Sequence, residues 1–120
     1  MKIAVTSTGD NLNSEVDPRF GRAGYLIIFD SDTGEFEAVN NRKNIVAVHG
    51  AGVQAGEALI LLGASVLITG HCGPTAFRVL DTAGIKVVTG ATGTVEEVLK
   101  LYEKGDLKEV GGPNVRGHWD

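Results

Sequence analysis

Residues 65–89, SVLITGHCGPTAFRVLDTAGIKVVT, decide the fold. Ser65 to Thr69 (SVLIT) is apolar and rich in β-branched side chains, which predicts a strand buried on both faces. Pro74 suits the first position of a helix, Ala76, Phe77, Leu80 and Ala83 recur at helical spacing, and Gly84 can close that helix. Ile85 to Thr89 reads as a second buried strand. A strand, a helix and a strand on short connections make a right-handed crossover between parallel neighbours.

The same grammar extends in both directions. Before it, Ala51, Ala55, Ala58, Leu59 and Leu62 form a helical stripe that Gly63 can end in a left-handed cap. After it, Thr94 and Glu97 have capping-box spacing, Val95, Val98, Leu99 and Tyr102 make a buried face, and Gly105 terminates the helix. The amino-terminal part differs. Met1 to Thr6 and Tyr25 to Asp30 read as apolar strands, and the turn Ser31 to Gly34 leads into Glu35 to Asn40, an edge strand with one wet face. The expected order is β-β-β-α-β-α-β-α: an α/β domain with a mixed five-stranded sheet flanked by helices. Its first strand should lie centrally, beside the Ser65 to Thr69 strand, at a switch point where ligands bind outside the carboxyl ends of strands.

A chain of 120 residues accommodates one domain and can bury a core without disulfides or a structural metal. Residues 1–105 carry the periodic pattern. Residues 106–120 have none and read as a flexible tail, in which Arg116, His118 and Trp119 could close over a bound group. The net charge of -4 and an aromatic content of 6% argue against nucleic acid, and no apolar run approaches membrane-spanning length. One cysteine, without a basic and apolar leader, points to a reducing cytoplasm.

Three segments should converge on the carboxyl ends of the central strands. The first is the long connection from Ser7 to Gly24, where Asp17-Pro18-Arg19-Phe20-Gly21-Arg22 sets two fixed cations three residues apart, as a clamp on a polyanion requires. Exposed ion pairs with Glu15 and Asp17 would explain the same arginines. The second, His49-Gly50-Ala51-Gly52, opens a helix on glycine amides, which suits an anion or simply the start of a helix. The third, Gly70-His71-Cys72-Gly73-Pro74, brings two metal-ligand types to another helix start. One cysteine does not make a closed zinc or iron-sulfur site, even with His49 and His118 added, and a free cysteine is often a small buried group.

In combination, MKIAVTS, VDPRFGRA and GAGxxAGEALIxxGxxxLITGxxGPxAFxxLxxAGIKVxTG resemble the dinitrogenase iron-molybdenum cofactor-binding family over about residues 1–105. Within that family the chain is most similar to the short stand-alone molybdenum-copper members. The resemblance implies a ribonuclease H-like fold and a non-enzymatic carrier of an anionic metal-sulfur cluster, either a molybdenum-copper sulfide or an FeMo-cofactor-like cluster. It also implies a protein partner in cofactor assembly or regulation. By position, Arg19 and Arg22 correspond to the family's basic loop, Gly50 and Gly52 to its glycine turn, and Gly70, Gly73 and Pro74 to its post-strand turn. His71 and Cys72 fall where the family varies and are candidate metal ligands, and Phe20 is a candidate apolar wall.

Other classes carry weaker signals. A two-metal nuclease needs clustered carboxylates, and neither Met1 to Thr6 nor Ser65 to Thr69 has one, leaving Glu57 alone. A redox or metal protein built on Cys72 and His71 would lack a resolving cysteine and an assignable acid-base partner. A protein-interaction adaptor without a cluster stays open on sequence alone.

Overall fold

The computed structural model describes residues 1–45 and 50–109. The elements are β1 (Lys2–Ser7), β2 (Tyr25–Asp30), β3 (Phe36–Asn40), α1 (Arg42–Ile45), α2 (Ala51–Leu62), β4 (Val66–Ile68), α3 (Pro74–Thr82), β5 (Lys86–Val88) and α4 (Val95–Glu103). The strands form one sheet in the order β3-β2-β1-β4-β5. β1 is central, antiparallel to β2 and parallel to β4, with Val5 opposite Ile68. The expected mixed α/β sheet and its switch point are therefore present. The short α1 was not expected from the sequence.

Alternation along the strands divides the core in two. Ala4, Leu26, Ile28, Leu67 and Val87 face α2 and α3, while Ile3, Val5, Ile27, Val66, Ile68 and Val88 face α4. Period-2 strands sandwiched between helices on both faces must be apolar on both sides, as these are. Because β4 and β5 run parallel to β1, α2, α3 and α4 all begin at the end of the sheet where these three strands finish.

The observed β4 and β5 are each three residues long, shorter than the expected five. The β4 flanks still close the parallel ladder with β5: Lys86 N–H donates to the Ser65 carbonyl and Thr69 N–H to the Val88 carbonyl. Past α4, Asp106 N–H bonds the Leu101 carbonyl, and Leu107 packs on the core of the α4 side. The described start of the expected tail is therefore tied to α4. The remaining tail, including Arg116, His118 and Trp119, lies outside the described residues, as does His49.

Candidate functional site

The basic loop reaches the sheet end through polar anchors. Asp17 N–H donates to the Thr6 carbonyl at 2.9 Å, and the Thr6 hydroxyl donates to the Asp17 carbonyl at 2.7 Å. The Thr6 and Thr69 hydroxyl oxygens are 2.9 Å apart in the interior, tying this knot to the neighbouring strand. Phe20, 1% exposed, plugs the loop into the core between sheet and helices. An aromatic anchor fixed by burial holds its chain neighbours in one place, so Arg19 and Arg22 stand on a rigid base.

That base is stitched to the turn after β4. His71 N–H donates to the Pro18 carbonyl at 2.7 Å and Phe20 N–H donates to the His71 carbonyl at 3.3 Å, an isolated parallel bridge between Arg19 and His71. The two backbones touch here: a Cβ on Gly70 would lie 2.7 Å from Pro18 Cα. A second close approach joins the loop to α2, since a Cβ on Gly21 would lie 2.5 Å from Gly52 N. The basic loop, the α2 start and the post-β4 turn do converge, through glycines that let main chain pack on main chain.

Asn41 is a positioning residue for the basic loop that the sequence did not single out. Fully buried, it donates from Nδ2 to the carbonyls of Ala23 (2.8 Å) and Gly21 (3.3 Å), on either side of Arg22. Its own N–H bonds the Gly24 carbonyl, and its Oδ1 accepts from Asn44 Nδ2 at 2.6 Å. A buried polar side chain this well satisfied fixes geometry. Asparagine after a strand signals only a turn. Its partners lie some 20 residues back and leave no local trace.

The predicted site residues divide by exposure. Arg19 and Arg22 are exposed, and His71, Pro74 and Gly50 are half-buried. Phe20, Gly52, Gly70, Gly73 and Cys72 are buried. Cys72 is 0% exposed among Ala4, Leu26, Phe20 and Ala76, and its Sγ lies 3.8 Å from the Gly73 carbonyl. Phe20 likewise packs in the core beneath the loop, so neither side chain reaches the outer surface in this conformation. No cluster of three or more potential metal-ligating side chains occurs among the described residues.

This end carries two exposed arginines, and Asp17 offsets part of their charge. The buried Asp17 carboxylate accepts the Arg19 backbone N–H at 3.1 Å and lies 3.7 Å from Arg19 Nε, which orients the side chain. The Glu15 pairing considered from sequence is absent, and Arg22 has no ion-pair partner among the described residues. α2 starts at Gly50, which has φ 100° and no side chain to cap, and neither α2 nor α3 has an acid in its first turn. The amides of Ala51, Gly52 and Val53 donate to no described group. Helix starts of this kind carry partial positive charge and attract anions. Pro74 opens α3 as predicted.

Known proteins share this architecture. The apo orange protein from Desulfovibrio gigas is 41% identical, with 95% of this chain and 96% of that chain covered at a TM-score of 0.92. A Thermotoga protein provisionally named a NifB protein is 36% identical over 95% of this chain and 97% of its own, TM-score 0.82. An uncharacterised Methanocaldococcus jannaschii protein is 28% identical over 91% of both chains. The sequence profile described as dinitrogenase iron-molybdenum cofactor matches residues 1–105. With the loop, the glycine turn and the post-strand turn inside that span, the chain belongs to the dinitrogenase iron-molybdenum cofactor family.

Proposed function

We propose that this protein is a non-enzymatic carrier of an anionic molybdenum-containing metal-sulfur cluster, of molybdenum-copper sulfide or FeMo-cofactor-like type. The observation that carries the reading is the bridge from Arg19 of the basic loop to His71 of the post-β4 turn, with Arg22 on the same loop, beside an α2 start whose first-turn amides have no described partner. A thiomolybdate cluster bridged by copper or iron is a large, soft polyanion. Two guanidinium groups can pair with its sulfido and oxo edges, and the helix dipoles of α2 and α3 add to the same potential. Contact falls to Arg19, Arg22, His71, Pro74 and Gly50 on the outer surface. Phe20, Gly52, Gly70 and Gly73 hold the frame beneath.

Cys72 belongs to that frame in this reading, because a thiol with no exposed surface ligates a cluster only if the turn opens. His71 is the candidate direct ligand. The fold is assigned as ribonuclease H-like and the setting as cytoplasmic, with delivery to or sensing by a protein partner. The overall charge of -4 does not oppose binding, since charges beyond about 8 Å are screened at physiological ionic strength. The test is anaerobic reconstitution with tetrathiomolybdate and copper(I), followed by desalting, metal and sulfide analysis, and a visible spectrum. Stable molybdenum with charge-transfer bands is the expected result. A colourless, metal-free protein overturns the reading.

A further inference from the structure

A cavity of about 600 Å³ lies at the opposite end of the molecule from the basic loop. β1 finishes and α4 starts at the loop end, so the residues that begin the one and end the other meet at the far end. Met1 and Ile3 wall the cavity from β1, and Tyr102, Glu103 and Leu107 from α4 and the segment after it. Met1 is held there by its ammonium, 3.0 Å from the Asp32 carboxylate, while the residue as a whole stays 47% exposed.

The described residues end at this cavity. Glu109, the last of them, is itself part of its wall and accepts from the Tyr102 hydroxyl at 3.2 Å. Residues 110–120, VGGPNVRGHWD, therefore start at its mouth. Gly111-Gly112-Pro113-Asn114 is turn chemistry that can reverse the chain. The five residues from Val115 to Trp119 then reach up to about 17 Å when extended, enough to cross back over the mouth.

The chemistry of the two parts matches. Ile3, Leu107 and the Tyr102 ring offer apolar surface, and Met1 adds a thioether, both good packing partners for an indole. At the rim Glu103 and Glu109 outnumber Lys108, so a cation brought back by the chain meets net negative charge, and Arg116 is such a cation. Tethering at Glu109 also holds the segment at an effective concentration that a separate partner of similar contacts would have to match in free solution.

We propose that the carboxy-terminal segment turns back at Gly111–Asn114 and seats Trp119 in the cavity against Met1, Tyr102 and Leu107, with Arg116 facing Glu103. The segment is then a strap that closes the far end of the sheet rather than a cover for the loop end. This inference is independent of what the loop end carries.

The experiment reads Trp119, the single tryptophan, in the full chain without any metal. Acrylamide quenching is expected to be severalfold weaker in the native chain than in urea, with nuclear Overhauser contacts from the indole to the Met1 methyl and the Tyr102 ring. Tyr102→Ala, verified as folded by circular dichroism, is expected to lose most of that protection. Arg116→Glu lies outside the described domain and is expected to raise quenching about twofold, because the new carboxylate faces Glu103 and Glu109. Native quenching equal to that in urea overturns the proposal, as does indole contact with Arg22 or His71 in place of Met1 and Tyr102. Wild-type quenching in both variants overturns it as well, and so does protection that grows with protein concentration, which would place the segment on a second copy.

Discussion

Two helix starts at the same end of the sheet are treated in opposite ways by the same connecting loop. At α4 every first-turn amide has a partner: Val95 N–H bonds the Ser14 carbonyl, Glu96 N–H the Leu12 carbonyl, and Glu97 N–H the Thr94 hydroxyl. Glu97 returns a bond to Thr94 N–H, completing a capping box, and two acids sit in that first turn. At α2 the loop instead lays Gly21 against Gly52, with no capping side chain and no acid. The α4 start is neutralised from within the chain, whereas the first three amides of α2 meet no acceptor among the described residues. Uncompensated positive ends are costly to keep near buried backbone. Arg19 is paired with Asp17, so Arg22, which has no ion-pair partner among the described residues, adds the uncompensated positive charge beside the α2 start.

Substitutions that damage one start and spare the other sharpen this contrast. The largest effect belongs to Gly70→Ala, whose Cβ would meet Pro18 Cα at 2.7 Å and Pro18 O at 2.8 Å. Backbone cannot rotate out of the way, so a loss of about 1–3 kcal/mol is expected in urea unfolding, together with loss of cluster retention. Thr94→Ala removes the α4 cap and should cost about 1 kcal/mol, yet leave cluster retention at the wild-type level. A retention defect there would erase the distinction between the two starts.

Arg19→Ala combined with Arg22→Ala should shift stability by no more than about 0.5 kcal/mol, because both side chains are exposed. Retention measured as molybdenum left after desalting should nevertheless fall steeply, and fall further with added salt. Retention unchanged in that variant removes the clamp from the account. The smallest effect concerns acid. Hydrogen bonds from Thr94 hold the Glu97 carboxyl below its ordinary range, so its contribution is complete above that range and is lost as pH falls through the lowered value. Glu97→Gln should flatten this part of the pH-stability curve without altering cluster retention.

Much of this arrangement was legible in the sequence, and the exceptions share a cause. Apolar runs such as YLIIFD and helical stripes ending in Gly63 and Gly105 report burial directly, so element order and the central β1 followed from them. The exact ends of β4 and β5 did not, because the register between the two strands sets where the ladder stops, at the bonds from Lys86 to Ser65 and from Thr69 to Val88. The three converging segments were readable as segments. The reason for their glycines was not, since a residue without a side chain serves a ligand or a crossing backbone equally well. At Gly21, Gly52 and Gly70 the crossing backbone accounts for it. Phe20 and Cys72 could be assigned inside or outside only once the loop's path was known. The stripe Ala51, Ala55, Ala58, Leu59, Leu62 described one side of α2 and passed over Ile60 and Leu61 on the other.

The central claim is that the cluster sits on the α2 side of the loop end and ignores the α4 start. Amide chemical-shift mapping during anaerobic titration with a copper(I)-thiomolybdate cluster tests this directly, because Cu(I) and Mo(VI) are diamagnetic and leave the spectrum readable. Shifts concentrated at Arg19, Arg22, Gly50, Val53 and His71, with Val95, Glu96 and Glu97 unmoved, are the predicted result. Shifts centred on Val95 to Glu97, or spread evenly over the molecule, would contradict it.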